Sequence, residues 1–366
     1  MEPRLARWWP ALVALLAGVI YAGIRMAPEG FDPIALAEVG PRYAEQKPDA
    51  EPGYDGQFTL YIALDPNPAQ VAPYLDVPAY RYQRILLPIL GRMLGLGQPA
   101  LIPWSLLLIN LAALVMGTRL LTGLVVDRGY APVYALIYGL WVGVLAPVGL
   151  DLHEPLAYAL VILAFVLREK GRQFPSALAV CLAFFAKETT LIFWPVLLVS
   201  GSPREWTRFR TGLVFGALAF IVWQAWLWRT FGAPGIGSGG EMATGFEWIP
   251  YMGLWRIGEY GWQVLLLFIA IMLPSIVVPS IWGIVTSTLS MIRDRYLDVN
   301  SLALWANSLL IAFTPHSTFR EPLGIVRLAD GMVLGLVLYS TKFHKKRVLN
   351  YALFWIAMLF LLVEQA

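Results

Sequence analysis

Long apolar runs, separated by short polar breaks, dominate this chain. The first run, WWPALVALLAGVIYAGI, is close to the length of about 20 residues that a helix needs to cross a bilayer. Its length, its starting Trp pair and the lack of an A-x-A cleavage motif predict a retained anchor helix rather than a signal peptide. The whole pattern predicts an all-α, polytopic transmembrane bundle of about 11 helices. These lie over residues 8–26, 101–122, 130–149, 155–167, 174–186, 189–200, 211–230, 263–290, 299–314, 323–340 and 348–363.

Two longer segments interrupt this pattern within what we predict to be a single domain over residues 1–366. Residues 28–97 are rich in Pro, Tyr and acidic residues and predict a first outer loop with interfacial helices. The stretch ILLPILGRMLGLG at its end is too short to span and contains Pro88 and Arg92, which indicates an interfacial helix. Residues 232–262 are Gly-rich and predict a second outer loop, a candidate lid over a cavity.

Composition and charge agree with a membrane protein. The chain is 58% hydrophobic and 14% charged, whereas a soluble domain carries roughly 25% charged residues. The basic breaks REKGR, SPREWTRFR, RDR and KFHKKR all fall on the side of the N-terminus, which predicts an inner-membrane protein with a cytoplasmic N-terminus. The net charge of +3 comes from these helix ends, so we expect membrane lipids and no nucleic acid as partners.

The polar breaks on the opposite, outer side combine acidic and basic residues. Ionisable groups at membrane depth are costly and therefore suggest function when they face a cavity, although at the water interface they carry no such penalty. The outer breaks contribute Asp55, Arg81, Arg84, Asp151, His153, Glu154, Lys187, Glu188, His316, Arg320 and Glu321, with Arg327 a little further on.

Asp55 is the candidate catalytic residue. Gly56 beside it permits close approach of a ligand or backbone. Phe58, Tyr61 and Ile62 then recur at helical spacing, which predicts a short interfacial helix that Asp55 begins. A general base needs a fixed position, and an N-cap has one, so catalysis and simple capping are both open interpretations of Asp55.

The basic residues of the outer face suit an anion. Guanidinium groups grip phosphate in bidentate fashion, so a lipid-linked phosphate would fit a set of four cations, or these cations form a belt for anionic lipid headgroups. That set is Arg81, Arg84, Lys187 and Arg320. The glycine-rich GIGSGG lacks the features of a phosphate-binding loop.

No cofactor is required by the sequence. The chain has three histidines, and none has metal-ligand spacing with another. A divalent cation bound by Asp55 together with Asp151 or Glu154 is left open.

Three motifs carry a family resemblance. YDGQFTLYIALDP, the following YRYQRILLPIL, and AKETTLIFWP resemble segments of the GT-C superfamily of integral-membrane glycosyltransferases, similar to GPI-type mannosyltransferases and their bacterial relatives. Many members of that family carry their acid closer to the first helix, where this chain offers only Glu29 and Asp32.

The resemblance implies an inverting hexosyltransferase. It would move a sugar from a polyprenyl-phosphate-linked donor to a glycan, lipid or protein acceptor on the extracytoplasmic face. Asp55 would be the general base, and the four cations would stabilise the leaving phosphate. The remaining groups would orient the acceptor or hold a metal; these are Asp151, His153, Glu154 and Glu188.

Two rival functions stay open. A transporter or lipid flippase explains the helices and outer charges equally well, but it predicts ionisable residues in the middle of helices. The central parts of 101–122, 130–149, 211–230 and 323–340 are predicted to be uncharged, which favours one-sided chemistry. A non-catalytic membrane subunit of a polysaccharide assembly system is the third candidate.

Overall fold

The computed structural model describes residues 7–199 and 206–365. Helix makes up 77% of the structure, and the described residues form no strand. We number the longer helices α1 (Trp9–Met26), α2 (Gly56–Leu64), α3 (Leu86–Leu94), α4 (Ile102–Asp127), α5 (Pro132–Gly139), α6 (Val142–Leu150), α7 (Glu154–Glu169), α8 (Gln173–Ala186), α9 (Glu188–Val199), α10 (Trp206–Phe231), α11 (Trp262–Asp294), α12 (Val299–Ala312), α13 (Pro322–Leu328), α14 (Asp330–Lys342) and α15 (Lys346–Val363).

Shorter helical turns connect these elements. Two of them carry residues of the outer face, Pro78–Tyr82 and His316–Arg320. The others are Ala27–Glu29, Pro33–Ala37, Pro41–Ala44, Pro68–Val71, Ala72–Tyr74, Met252–Trp255 and Arg256–Tyr260.

Five helices in the described chain are long and apolar enough to cross a membrane: α1, α4, α10, α11 and α15. The number rises to seven if the bent pairs α5–α6 and α13–α14 each count as one span, while α8, α9 and α12 are shorter apolar helices. The fold is thus all-helical with several candidate spans. Arg4 and residues 200–205, on which the predicted orientation partly depends, lie outside the described residues.

The core forms where α7 packs between α4 and α8, with α1 against the other side of α4. Close packing is possible because small residues face the contacts, as Gly18 of α1 does against Leu111 and Leu114. The opposite side of α1 exposes large apolar side chains, among them Leu12 and Leu16, as expected for a helix that faces lipid.

Two segments that the sequence predicted as continuous helices, 130–149 and 323–340, are broken. The bend is 58° between α5 and α6 and 41° between α13 and α14. Extended backbone at Trp141 begins α6, and the Trp141 indole Nε1 donates to the Val326 carbonyl at 3.1 Å and to Asp330 Oδ1 at 2.9 Å. The two breaks therefore meet, and the indole satisfies polar groups that a bend exposes.

The short helix α2 is not interfacial, contrary to the prediction. Its residues from Gly56 to Leu60 are all buried. The polar side chains find partners inside: Gln57 accepts from the Gly40 amide at 3.2 Å and donates to the Tyr54 carbonyl at 2.9 Å. Because these hydrogen bonds compensate for lost water, α2 packs within the protein rather than along its surface.

We predict that Gly143→Ala destabilises the fold by about 1–3 kcal/mol, the usual cost of overpacking. A Cβ at this position would lie well inside 3.0 Å of the Val326 carbonyl oxygen, which is backbone and cannot rotate away. The measurement is thermal unfolding of purified protein in detergent. Gly23→Ala in α1 is the matched control, because no atom lies within 4 Å of its Cβ. Unfolding of both variants at the wild-type temperature would show that the two breaks do not meet.

Candidate functional site

A cavity of about 290 Å³ lies between the first loop, the start of α9, the segment before α14 and residues 240–243. Its walls carry charges of both signs. The cationic side chains are those of Arg42, Arg81, Arg84, Lys187, Arg320 and Arg327. The acidic ones are those of Asp55, Asp76, Glu188, Glu241 and Glu321.

Asp55 stands at the N-cap position of α2, but its side chain makes no capping hydrogen bond. The capping interpretation of the carboxylate is therefore wrong. Its Oδ1 lies 2.8 Å from Arg81 Nη2 and its Oδ2 lies 3.6 Å from Arg327 Nη2. The side chain is 33% exposed, whereas the side chains of Arg81 and Arg327 are largely buried.

The electrostatic surroundings of Asp55 favour its charged form. Burial alone would favour the neutral acid, but Arg81, Arg327 and Arg84 together outweigh it and hold the pKa of Asp55 well below its ordinary value. The carboxylate is thus ionised at neutral pH, and it is a weak base for as long as these cations face it.

Arg81 is held from two sides. Its Nε and Nη2 each lie 2.7 Å from one oxygen of Asp76, in bidentate geometry, while Asp55 takes a further contact. The Phe58 ring lies under the guanidinium at 4.3 Å. The planar group is therefore fixed in orientation by two carboxylates and an aromatic face.

Arg84 pairs with Glu188 at the start of α9. Two contacts of 2.7 and 2.6 Å make this pair bidentate, and the Tyr80 ring lies 4.3 Å from the guanidinium. Burial opposes ionisation of Glu188, but Arg84 outweighs it and lowers the pKa of Glu188 to about 2. This pair joins the first loop to α9.

Beneath the cavity, Glu154 at the start of α7 binds two cations. Its Oε1 accepts from Arg327 Nε at 2.7 Å and from Lys187 Nζ. Glu154 is 1% exposed. On the cavity side, Arg327 Nη1 donates to the Tyr54 hydroxyl at 2.8 Å, and that hydroxyl in turn donates to Glu321. One buried carboxylate therefore positions two of the cations that line the cavity.

The structure brings most of the predicted site residues together. Asp55, Arg81, Arg84, Lys187 and Glu188 all line the cavity. Arg320 lines it as well, is exposed, and has no carboxylate within ion-pair distance in the described part of the chain.

The other predicted residues lie deeper. Glu154 is below the cavity, as described above. His153 borders a small void of about 10 Å³ beside Asp55, and its Nε2 lies 3.0 Å from Thr59 Oγ1. Burial, with Arg84 nearby, lowers the pKa of His153 to about 3, so the imidazole is neutral. Asp151 is fully buried without a hydrogen-bond partner among the described residues, and burial raises its pKa well above the ordinary value.

Neither early acid of the first loop belongs to this cavity. Glu29 and Asp32 are exposed, and Asp32 caps the turn at Ile34. Among the described residues no three His, Cys, Asp or Glu side chains are placed to hold a metal ion. For the carboxylate pair that the sequence left open, Asp55 with Asp151 or Glu154, arginine already contacts both oxygens of Asp55, and Arg327 and Lys187 share Oε1 of Glu154.

Arg327 is among the ionisable residues near the outer breaks, but its position in the sequence predicts no role for it. The prediction of an uncharged centre for 323–340 is wrong, because Arg327 and Asp330 lie buried at the bend in that segment. An arginine inside an apolar run is itself a signal of function. Asp76 and Tyr54 carried no comparable signal, since only the folded chain brings them to Arg81 and Arg327.

Residues 232–262 lie over the cavity through their middle part. Glu241 pairs with Arg42 at 3.1 Å and accepts from the Tyr43 hydroxyl at 2.7 Å. Thr244 and Ser317 exchange hydrogen bonds on the opposite rim. This segment thus bridges the first loop and the turn before α13, the place where the sequence analysis expected a lid.

Comparison with protein-family models finds no match to this chain, and comparisons with curated proteins and with solved structures find none either. The family resemblance therefore stays a prediction that rests on the three sequence motifs alone.

We predict that Glu154→Gln destabilises the protein by about 3–5 kcal/mol, the usual cost of breaking a buried ion pair. The amide leaves Lys187 and Arg327 facing each other without a compensating charge. The measurement is thermal unfolding in detergent. Asp294→Asn, which alters an exposed pair with Arg293, is the control and should unfold like wild type. Equal unfolding temperatures for wild type, Glu154→Gln and Asp294→Asn would contradict the buried network.

A second prediction concerns the stability of the protein at acidic pH. Because the folded-state pKa of Glu188 is lowered to about 2, its stabilising contribution is complete above the unfolded value near 4.5 and disappears as pH falls toward 2. The gap in unfolding temperature between wild type and Glu188→Gln should therefore narrow over that acidic range. Glu51→Gln, an exposed carboxylate outside the cavity, should show no such narrowing. A constant gap at all pH values would argue against the Arg84 pair.

Proposed function

We propose that this protein is an inverting membrane glycosyltransferase. It would move a sugar from a polyprenyl-phosphate-linked donor to a glycan, lipid or protein acceptor. The observation that carries the proposal is the partly exposed Asp55 carboxylate, held by Arg81 and Arg327 in a cavity rich in arginine. A base beside a set of phosphate-binding cations is what a phosphate leaving group requires.

The donor phosphate would enter by way of Arg320. This is the exposed cation of the cavity, and in the described chain no carboxylate competes for it. Arg81 and Arg84 lie deeper and are bound by carboxylates, so a phosphate must displace or share those partners. A donor with one or more phosphate charges can do so because charge-assisted contacts to phosphate are strong.

Donor binding would also activate Asp55. While Arg81 and Arg327 face the carboxylate, its affinity for a proton is low. A phosphate that neutralises these guanidinium groups raises the pKa of Asp55 toward its ordinary range. The base therefore becomes effective only when the donor is in place, which limits loss of donor to unproductive reactions.

In the transfer step, Asp55 takes the proton of an acceptor hydroxyl. The acceptor oxygen forms a bond to the anomeric carbon from the side opposite the phosphate, so the configuration inverts. The bond between the anomeric carbon and the phosphate oxygen breaks, and its electron pair stays on the lipid phosphate. Arg81, Arg84, Lys187 or Arg320 stabilises that charge, while Glu154 positions Lys187 and Arg327 from below.

The proposal includes the membrane arrangement predicted from the sequence. About 11 helices would lie in the inner membrane, with the N-terminus in the cytoplasm and the cavity on the extracytoplasmic side. The five to seven candidate spans support a polytopic bundle, and the gathering of charged side chains in one cavity supports a site on one side of it. Glu188 would orient the acceptor, and residues 232–262 would cover the bound substrates.

A transporter or lipid flippase is the second candidate function. Buried Arg327 and Asp330 at the meeting helix breaks favour it, since broken helices with ionisable groups line many transport sites. Transport needs access to the site from both sides of the membrane, whereas sugar transfer needs access from one. The two functions also differ in the fate of the donor, which a transporter moves intact and a glycosyltransferase consumes.

We predict that purified wild-type protein consumes one of a panel of radiolabelled polyprenyl-phosphate sugars, and that Asp55→Asn lowers this turnover by about 100- to 10,000-fold. The fold should survive, because Asp76 still holds Arg81 in the variant. Asp49→Asn, an exposed acid of the same loop, is the matched control and should turn over normally.

Near-normal turnover by Asp55→Asn would remove this residue from the role of base. Movement of intact donor across proteoliposomes, without consumption, would instead support the flippase. If the protein neither consumes nor moves any donor of the panel, that result would favour the non-catalytic subunit.

A further inference from the structure

A second cavity, of about 270 Å³, lies at the opposite end of α7 from the Asp55 cavity. Glu154 begins α7 beside the first cavity, and Glu169 ends it at the second. A rise of 1.5 Å per residue separates these two residues by about 22 Å along the helix axis. The second cavity is therefore remote from the proposed chemistry and independent of it. It lies between the N-terminal end of α1, the last turns of α4 and the C-terminal end of α7.

Among the described residues that line this cavity, positive charge exceeds negative charge. Its basic residues are Arg7, Arg119 and Lys170, and its acidic residues are Asp127 and Glu169. Both acids are already paired, Asp127 with Arg7 at 2.9 Å and Glu169 with Arg128.

Two cations are left without a carboxylate partner. In the described part of the chain, neither Arg119 nor Lys170 has a carboxylate within 4.0 Å. Lys170 is exposed at the end of α7, so its ammonium is free to meet a ligand.

Arg119 is the more informative of the two, because it lies within the long apolar helix α4 rather than at its end. Its guanidinium lies 4.9 Å from the Trp8 ring, and its Nη1 extends over Gly123, one turn nearer to the helix end. Its buried Nε has no hydrogen-bond partner among the described residues. A charged group in such a position normally has a counter-charge, which here a ligand would supply.

The other walls of the cavity are apolar. Leu120, Leu124 and Val166 line it beside the cations. A soluble anion gains nothing from such walls, whereas a lipid places its phosphate on the cations and its acyl chains along the leucine side chains. Leu12 and Leu16, which are exposed, follow about one and two helical turns after Trp8, whose ring lies against Arg119.

We propose that this cavity binds the phosphodiester headgroup of an anionic phospholipid, with Arg119 and Lys170 as the phosphate ligands. The bound lipid supplies the missing negative charge and ties together the ends of α1, α4 and α7.

The test is native mass spectrometry of the full-length protein in detergent, titrated with phosphatidylglycerol or with phosphatidylcholine. Wild type should bind phosphatidylglycerol at least about fivefold more tightly, and Arg119→Gln and Lys170→Gln should each lose about fivefold in that affinity. Lys346→Gln, an exposed cation outside the cavity, is the matched control and should bind like wild type. Since Lys170 is exposed, its variant keeps the test decisive even if Arg119→Gln does not fold.

Gly123→Leu adds an independent arm, because it fills the cavity and leaves every charge in place. It should weaken phosphatidylglycerol binding as well. Unchanged phosphatidylglycerol affinity in the Lys170 and Gly123 variants would overturn the proposal, as would equal binding of both lipids by wild type. Displacement of the lipid by an equal concentration of inorganic phosphate would also overturn it, since the site would then belong to a soluble anion.

Discussion

The Glu154 carboxylate, buried and shared by Lys187 and Arg327, is the interaction on which the rest of the site depends. A charge removed from water is tolerated only when its partners are close and well oriented. Here the carboxylate comes from the start of α7, and its two partners come from the junction of α8 with α9 and from α13. Satisfying one carboxylate therefore fixes three helix ends relative to one another. Arg327 carries that constraint onward to Asp55 and the Tyr54 hydroxyl.

Lys187 and Glu188 show how a short break connects two layers of this network. The backbone of Lys187 is extended, with φ −154° and ψ 126°, so consecutive side chains point to opposite sides. Lys187 reaches down to Glu154, and Glu188 reaches across to Arg84 of the first loop. A continuous helix from α8 into α9 would turn both side chains by about 100° per residue and could not make both contacts.

Hydrophobic patterning predicted the all-helical class and the approximate position of the apolar helices, because lipid and protein interior impose the same demand on a helix. It missed the two bends, since these depend on the Trp141 indole meeting Val326 and Asp330 across the bundle. In the site, charges at the ends of apolar runs indicated Asp55 and Arg84. The pairing of Arg81 with Asp76, and the central place of Arg327, follow only from the folded chain.

Among the described residues, the positive and negative side chains that line the Asp55 cavity are nearly equal in number. Each cation on its wall except Arg320 already has a carboxylate partner in the described chain, whether on the wall or, for Lys187, in Glu154 below. A neutral molecule cannot compete for these guanidinium groups, while an anion can, at the expense of contacts that are partly solvated. Among the carboxylates that contact Arg81 or Arg84, Asp55, at 33%, is more exposed than Asp76 or Glu188, so its contact with Arg81 is the easiest of these to displace. In the proposed reaction, an arriving phosphate would separate Asp55 from Arg81 while Asp76 keeps the guanidinium in place, so the proposed base would be freed without disordering the site.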